Sequence, residues 1–195
     1  MKKLVCLVLL MLLLLTWAGC VSQPHPISAS PKVLIVLRSH LSSDMPYMTD
    51  NELGVMIDML DEAGFKHWVT SLTDDPYKSD TRTITPDSIV GAVAASDFDA
   101  VILPCLAAVK SPASKEIVEL VTEFYRQEKI IAAQYGSSYT LYEGGIIADE
   151  QLASSEVLQK GRIITSGCCP YMARSSGCED GTRELIEKLI ATLNN

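Results

Sequence analysis

Five short apolar runs, each followed by a stretch with helical or turn character, constrain the fold of this chain more than any other feature. Most runs are apolar at every position rather than at alternate positions, which is typical of strands buried on both faces of a parallel sheet. The predicted strands are 33–37, 67–72, 100–104, 130–134 and 162–166. The 176 residues from Cys20 onward are enough for one domain with a good core and too few for two.

Four helices are predicted between and after these strands, because apolar residues recur there at spacings of three and four. The residues that carry the pattern are Leu53, Met56, Ile57 and Leu60 with an end at Ala63-Gly64; Thr85-Pro86-Asp87 with Ile89, Val90 and Val93; Ile117, Val121 and Phe124; and Leu185, Ile186, Leu189, Ile190 and Leu193. Strand and helix alternate, so the predicted fold class is α/β: a doubly wound, flavodoxin-like, mainly parallel sheet with helices on both faces.

The amino terminus has the features of an export signal. Lys2 and Lys3 precede a run of twelve residues, 4–15, that is too short for a bilayer span of roughly 20 residues. The run leads to Ala18-Gly19-Cys20, which resembles a bacterial lipobox. We therefore predict a signal peptide over 1–19 and lipid on Cys20, which would anchor the protein to a membrane of the cell envelope with its domain outside the cytoplasm. The alternative is secretory cleavage near Ala18, with Cys20 an ordinary thiol.

A Pro- and Ser-rich stretch separates Cys20 from the first strand. We interpret 20–31 as the lipidated cysteine and a tether, and 32–195 as the domain. Removing Lys2 and Lys3 changes the net charge from −8 to −10. Nucleic-acid binding depends on Lys and Arg that neutralise phosphates, so an acidic chain of this kind is not expected to bind nucleic acid.

Chemically distinctive side chains follow the predicted strands. Right-handed crossovers place the strand-to-helix loops at the carboxyl edge of the sheet, where such folds bind ligands. Arg38 and His40 follow the first strand, Cys105 the third, Tyr135-Gly136 the fourth, and Cys168-Cys169 the fifth. The candidate pocket consists of Arg38, His40, Glu52, Cys105, Cys168 and Cys169, next to Tyr135 and Gly136. Arg38 and His40 are suited to anion binding or proton transfer, but a solvated loop also explains them.

Three segments carry a resemblance to a known family. They are Asp97-Phe98-Asp99-Ala100 leading into Leu103-Pro104; Ala132-Ala133-Gln134-Tyr135-Gly136 followed by Gly144-Gly145; and Ile164-Thr165-Ser166-Gly167 before the last helix. In order and spacing they resemble the ThiJ/PfpI superfamily, whose domain is related to class I glutamine amidotransferases. The likeness extends over about 32–193.

The resemblance implies a nucleophile elbow whose chemical groups have changed. Family members typically use an elbow cysteine, a glutamate near the first helix and often a histidine. Here the cysteine position is Tyr135, the histidine position is Gly136, and the glycine of the oxyanion loop is Cys105; Glu52 matches the glutamate. A phenol is largely protonated at neutral pH, so binding or pocket filling by Tyr135 is favoured over catalysis. Glu52 also fits a capping box with Thr49.

Four cysteines remain in the predicted domain: Cys105, Cys168, Cys169 and Cys178. In an exported chain an even set predicts disulfides, with three connectivities open. Either Cys168 or Cys169 could join Cys178, and Cys105 could reach the other. A reactive thiol, with Cys105 as the candidate, is the alternative. No Cys-x-x-Cys spacing supports a metal, and no cofactor motif is present.

Three functional hypotheses follow. The leading one is a non-catalytic domain, or pseudoenzyme, on the cell envelope that binds a small molecule or a protein partner. The second is a divergent hydrolase or thiol-redox enzyme that uses Cys105 with Glu52 or His40. The third is an assembly protein that forms a homodimer, as many relatives do.

Overall fold

Seven strands form one sheet in the computed structural model, which describes residues 30–38, 44–106, 114–152 and 154–195. In chain order the strands of this part of the protein are β1 Lys32–Leu37, β2 Lys66–Ser71, β3 Tyr77–Lys78, β4 Thr83–Ile84, β5 Ser88–Ile89, β6 Ala100–Leu103, β7 Ile130–Gln134, β8 Val157–Lys160 and β9 Ile163–Ser166. The sheet order is β5-β2-β1-β6-β7-β9-β8, parallel except for β8, and β3 pairs with β4 as a separate hairpin.

The helices lie between these strands. The first, α1, is a succession of Met45–Met48, a π-helical turn Thr49–Gly54 and Val55–Glu62; the others are α2 Lys115–Arg126, α3 Ser138–Glu143, α4 Asp149–Leu152, α5 Pro170–Ser176 and α6 Thr182–Leu193. Short 3₁₀ turns occupy Val90–Ala92, Ala95–Asp97 and Tyr135–Ser137. Ser114 caps α2, since its side chain accepts from the Ile117 amide at 3.2 Å.

Two apolar clusters cover the two faces of the sheet. Successive side chains of a strand point to opposite faces, so Val33 and Ile35 pack with α1 and α6, while Leu34 and Val36 pack with α2 and α3. β1 lies between β2 and β6, and its residues from Val33 to Leu37 are buried. This burial on both faces explains the unbroken apolar run in the sequence, and the predicted α/β fold class is confirmed.

The predicted helix starting at Thr85-Pro86-Asp87 is wrong. The chain instead forms β5 and a 3₁₀ turn there. The Asp87 carboxylate accepts from the Val69 amide at 2.8 Å, and the Asp87 amide donates to the Val69 carbonyl at 2.8 Å. Both contacts align this segment with β2. The sequence also did not predict β8, in which Val157 and Leu158 are partly buried and the last two residues are exposed.

Several predicted features lie outside the described residues. These are the signal peptide, Cys20, most of the tether and His40. In the part of the chain that is described, no helix has the length and apolar character needed to cross a bilayer.

Candidate functional site at the carboxyl edge of the sheet

Four strand ends and one helix converge at the carboxyl edge of the sheet. The ends of β1, β6, β7 and β9 bring Arg38, Cys105, Tyr135 and Cys169 to this edge, and α1 contributes Glu52. The convergence follows from parallel pairing, because β6, β7 and β9 are neighbours in register. All five residues are candidates from the sequence, and the structure brings them to the same edge of the sheet.

Tyr135 occupies a strained strand-to-helix turn. β7 ends at Gln134, Tyr135 has a φ of 39°, and a 3₁₀ turn leads into α3. A bulky residue in the left-handed region costs about 1–3 kcal/mol, so its surroundings must enforce the conformation. Ser137, buried in the same turn, donates through its hydroxyl to the Pro104 carbonyl at 2.5 Å. That bond fixes the turn against the loop after β6.

Glu52 fastens the loop that follows β6. Its carboxyl oxygens accept from the amides of Cys105 and Leu106, both at 2.8 Å. Leu106 also has a positive φ, 32°. The proposed capping box is therefore wrong: α1 begins at Met45, and the Glu52 side chain points to a different loop. Glu52 and Leu53 are both buried in the π-helical turn of α1, and such turns are frequent at functional sites.

Burial gives the Glu52 carboxyl an unusual proton affinity. The side chain has no solvent exposure. Burial, followed by the nearby Cys169, raises the pKa of Glu52 to about 8, although the two amides and the Arg38 guanidinium act in the opposite direction. At neutral pH the carboxyl is therefore mostly protonated.

Cys105 and Cys169 form a buried thiol pair. Both are reduced and have no solvent exposure. Cys105 follows β6 and Cys169 precedes α5, and both side chains belong to the same buried apolar cluster. Gly136 lies against Cys105, since a Cβ built on Gly136 would be 3.5 Å from the Cys105 sulfur.

The two thiols differ in acidity. The hydrogen bond from Cys105 lowers the pKa of Cys169, and the amides of Met172 and Tyr171 lower it further against the effect of burial. The same bond raises the pKa of Cys105 well above its ordinary value, and burial and Glu52 add to this rise. Cys169 is therefore the more acidic thiol of the pair.

Arg38 lies beside the loop after β6. Its guanidinium donates to the Cys105 carbonyl, and its own carbonyl accepts from the Tyr77 hydroxyl at 2.9 Å. Tyr77 belongs to the β3–β4 hairpin and is bridged to Ser71 at 2.8 Å. The hairpin, which the sequence did not predict, thus helps to position Arg38.

Cys168 is part of a disulfide with Cys178. It is buried, and its carbonyl accepts from the Gln134 side-chain amide at 3.0 Å. Gln134 also donates to Thr182 at 2.8 Å, and Thr182 donates to Asp180 at 2.6 Å. The sequence did not predict this network, although Gln134 is a polar residue at the end of a buried strand. It ties the elbow to the start of α6.

A groove of about 830 Å³ lies at the opposite, amino edge of the sheet. Its charged lining includes Lys129 and Arg162, which bind carbonyl groups of neighbouring loops: Lys129 those of Ala95 and Phe98, and Arg162 that of Glu128. These contacts fasten loops to the sheet. Among the described residues, no group of three or more His, Cys, Asp or Glu side chains is arranged to hold a metal ion.

A protein-family comparison matches residues 28–172 to the model described as "DJ-1/PfpI family". The chain belongs to the DJ-1/PfpI family. The matched stretch contains Glu52, Cys105, Tyr135 and Cys169, so the family domain itself carries the candidate site. Cys178 lies beyond the match, in the segment that leads into α6. No curated protein sequence matches the chain.

Solved structures show the same fold at low identity. A ThiJ/PfpI domain protein from Brachyspira murdochii has a TM-score of 0.64 and 18% identity, with 86% of this chain and 98% of that chain covered. Oxidized DJ-1 from Toxoplasma gondii has a TM-score of 0.60 and 20% identity, over 84% and 91% of the two chains. DJ-1beta from Drosophila melanogaster has a TM-score of 0.55 and 23% identity, over 85% and 98%.

Proposed function

We propose that this chain is an envelope-anchored DJ-1/PfpI family domain that binds a ligand at the elbow rim and does not use an elbow nucleophile. The observation that carries the proposal is the φ of 39° at Tyr135. A strained residue persists only where the surrounding fold holds it, and such strain is concentrated at binding and active sites. A bulky tyrosine gains nothing from this strain as a simple filler of space.

The Tyr135 hydroxyl is suited to donating a hydrogen bond. Burial raises its pKa, and the neighbouring Cys105, Cys169 and Tyr139 add to the rise. The phenol is thus protonated at neutral pH, and a phenol is both donor and acceptor. Tyr139, on the following helix, has 53% of its surface exposed. Two adjacent tyrosines at an exposed rim favour binding, since tyrosine is enriched at recognition sites.

Nucleophilic catalysis by Cys105 is less well supported. Its side chain is fully buried and its pKa is raised. A catalytic thiol needs thiolate character and access to substrate. The amides of Cys105 and Leu106, which could otherwise stabilise a developing oxyanion, are bound to Glu52. We therefore favour a binding domain over the hydrolase that Cys105 with Glu52 or His40 would form.

Anchoring at Cys20 is part of the proposal and rests on the sequence. The basic start, the apolar run and Ala18-Gly19-Cys20 support lipid attachment and display outside the cytoplasm. Mass spectrometry of the amino terminus of the native protein should find a lipid-modified Cys20. Cys20→Ala should release the domain in soluble form, and a mature protein that begins elsewhere without lipid would reject the anchor alone.

Paired variants distinguish ligand binding at the rim from catalytic turnover there. Native mass spectrometry of the exported wild-type protein should show a retained small molecule that Tyr135→Phe loses. Removing the hydroxyl should leave stability almost unchanged, since the ring remains. Tyr139→Phe is the matched control for a tyrosine hydroxyl on the next helix.

Turnover is assayed with p-nitrophenyl acetate and methylglyoxal as probes. We expect the wild type to show no more turnover than Tyr135→Ala or Cys105→Ser. Robust turnover that survives Cys105→Ser and Cys169→Ser but disappears in Tyr135→Phe would overturn the non-catalytic assignment and make Tyr135 a catalytic residue.

A further inference from the structure

The binding function at the elbow leaves the groove at the amino edge of the sheet without a role. Its volume of about 830 Å³ lies within the range of small-molecule sites, roughly 300–1,000 Å³. Strand β7 begins next to Lys129, which lines the groove, and ends at the elbow five residues later. Five strand residues span roughly 16 Å, so a small ligand in the groove does not reach the elbow.

The groove is cationic although the chain as a whole carries a net charge of −8. Its lining contains one acidic side chain, Glu128, and four basic ones: Arg126, Lys129, Lys160 and Arg162. Among the described residues, Arg126 is the only one of these four in an ion pair, with Glu123 at 3.6 Å. Lys129 and Arg162 bind backbone carbonyls, which carry no net charge. The positive charge of the groove is therefore largely uncompensated.

A hydrogen-bond donor without an acceptor lies on the same groove. Gln151 belongs to α4, and its Nε2 atom is buried and has no hydrogen-bond partner in the described part of the protein. A buried donor without a partner destabilises a fold. The last torsion of a glutamine side chain is soft, so a small rotation turns its N–H groups toward an acceptor in the groove. An anionic oxygen there would satisfy this donor.

Apolar side chains form the rest of the lining. Ile147 and Ile163 are buried in the cluster between the sheet and the helices α2 and α3, and Ile146 packs against that cluster. Tyr125 has 48% of its surface exposed. Lys160 pairs with Ile163 across β8 and β9, so a charge and an apolar side chain are neighbours in the groove. Such a lining suits a ligand that has both an anionic group and an apolar body.

The end of helix α2 limits the charge of that ligand. The helix ends at Arg126, and the carbonyls of its last turn carry partial negative charge. The Glu128 side chain adds a full negative charge to the lining. Both features act against a dianion, so a single carboxylate fits this groove better than a phosphate.

We propose that the amino-edge groove binds an amphiphilic monocarboxylate, a small organic acid with one carboxylate and an apolar body. The carboxylate is bound by Lys160, which is exposed at the end of β8, and by the Gln151 amide. The apolar body packs against Ile147 and Ile163. Lys129 and Arg162 add positive charge while they keep their carbonyl partners. The site does not depend on the ligand proposed for the elbow.

The test uses calorimetric titration of the exported wild-type protein, with octanoate and 4-phenylbutyrate as probes. We expect saturable binding of both acids and weaker binding of 1-octanol, which has the same chain without the carboxylate. Octyl phosphate should bind no more tightly than octanoate. Absence of saturable binding of both acids up to about 10 mM would overturn the proposal, and so would equal binding of 1-octanol. Tighter binding of octyl phosphate would refute the preference for a carboxylate.

Charge-reversal variants locate the site. Lys160→Glu should weaken octanoate binding about tenfold, because a charge-assisted contact becomes repulsive. Lys66→Glu is the matched control, since Lys66 is exposed at the start of β2, and β1 and β6 separate β2 from β7. That distance is roughly 14 Å, beyond the screening length of about 8 Å at physiological ionic strength. Equal losses in the two variants would refute a specific site.

Two further variants separate this groove from the elbow and from a purely structural role. Tyr135→Ala should leave octanoate affinity unchanged, and loss of binding in that variant would place the acid at the elbow instead. Gln151→Leu should weaken octanoate binding several-fold without lowering the free energy of unfolding, because the buried unpaired donor is removed. Unchanged affinity together with reduced stability would show that Gln151 only supports the fold and would remove it from the site.

Discussion

Replacing Glu52 by Gln tests the proton affinity on which the electrostatics of the site depend. Glutamine keeps the shape of the protonated carboxyl but cannot ionise. Its oxygen can accept from only one of the two amides, Cys105 or Leu106, that bind Glu52. An unsatisfied buried amide costs about 1–3 kcal/mol, so Glu52→Gln should be less stable than the wild type in mild acid.

The pH dependence has a definite sign and size. The pKa of Glu52 rises from 4.5 to about 8 on folding. Below pH 4.5 the carboxyl is protonated in the folded and the unfolded state, and its full contribution to stability is present. As the pH rises toward 8 the unfolded chain ionises while the folded protein keeps its proton, so stability falls by about 1.4 kcal/mol per pH unit. The complete loss above pH 8 is on the order of 5 kcal/mol.

Urea unfolding of the wild type and Glu52→Gln between pH 5 and 7.5 measures this difference. At pH 5 the free energy of unfolding of the variant should be lower than that of the wild type. This difference should close or reverse as the pH rises. Glu187→Gln, at an exposed helical position, should follow the wild type throughout. A constant gap across the range would refute the reasoning. A gap that widens with pH would show that the two amides and Arg38 hold Glu52 ionised.

Two further predictions concern the segment around β9. Cys178→Ser should destabilise the protein by about 2–3 kcal/mol, because the disulfide to Cys168 closes a loop with a sequence separation of 10. Urea unfolding with reductant should abolish this difference, and persistence of the difference would point to another cause. Gly167→Ala should destabilise by about 1–3 kcal/mol or more, since its Cβ would lie 1.6 Å from the Ser154 carbonyl oxygen. Gly91→Ala has open space around it and should change stability by less than about 0.5 kcal/mol in the same assay.

The sequence predicted the framework because the framework rests on local patterns. The run 33–37 is apolar at every position since β1 is covered on both faces, and α2 repeats Ile117, Val121 and Phe124 on its buried side. These patterns are readable without knowing what packs against them. The order of elements then limited the fold to a parallel doubly wound sheet and gathered Arg38, Cys105, Tyr135 and Cys169 at one edge.

Glu52 shows where local patterns fail. Thr49 and Glu52 have the spacing of a capping box, but helix α1 begins four residues before Thr49 and Glu52 binds a loop 53 and 54 residues away. A capping box forms only where the nearby backbone amides are the best partners for the side chain. Amides of a distant loop can bind that side chain instead. The same holds for Asp87, whose contacts with Val69 replace the helix that Thr85-Pro86-Asp87 suggested.

The sequence by itself determined the α/β class, the strand ends that meet at the site and the identity of the residue at the elbow. Only the tertiary structure decided how those residues interact: that Glu52 is buried, that Cys168 joins Cys178, and that Cys105 and Cys169 are buried in one cluster. The apolar periodicity of the sequence indicates which side of a helix or strand is buried. The pKa of a side chain, the pairing of cysteines and the strain of the backbone depend instead on atoms that folding brings within a few ångströms. The chemistry of this site therefore depends on these tertiary contacts.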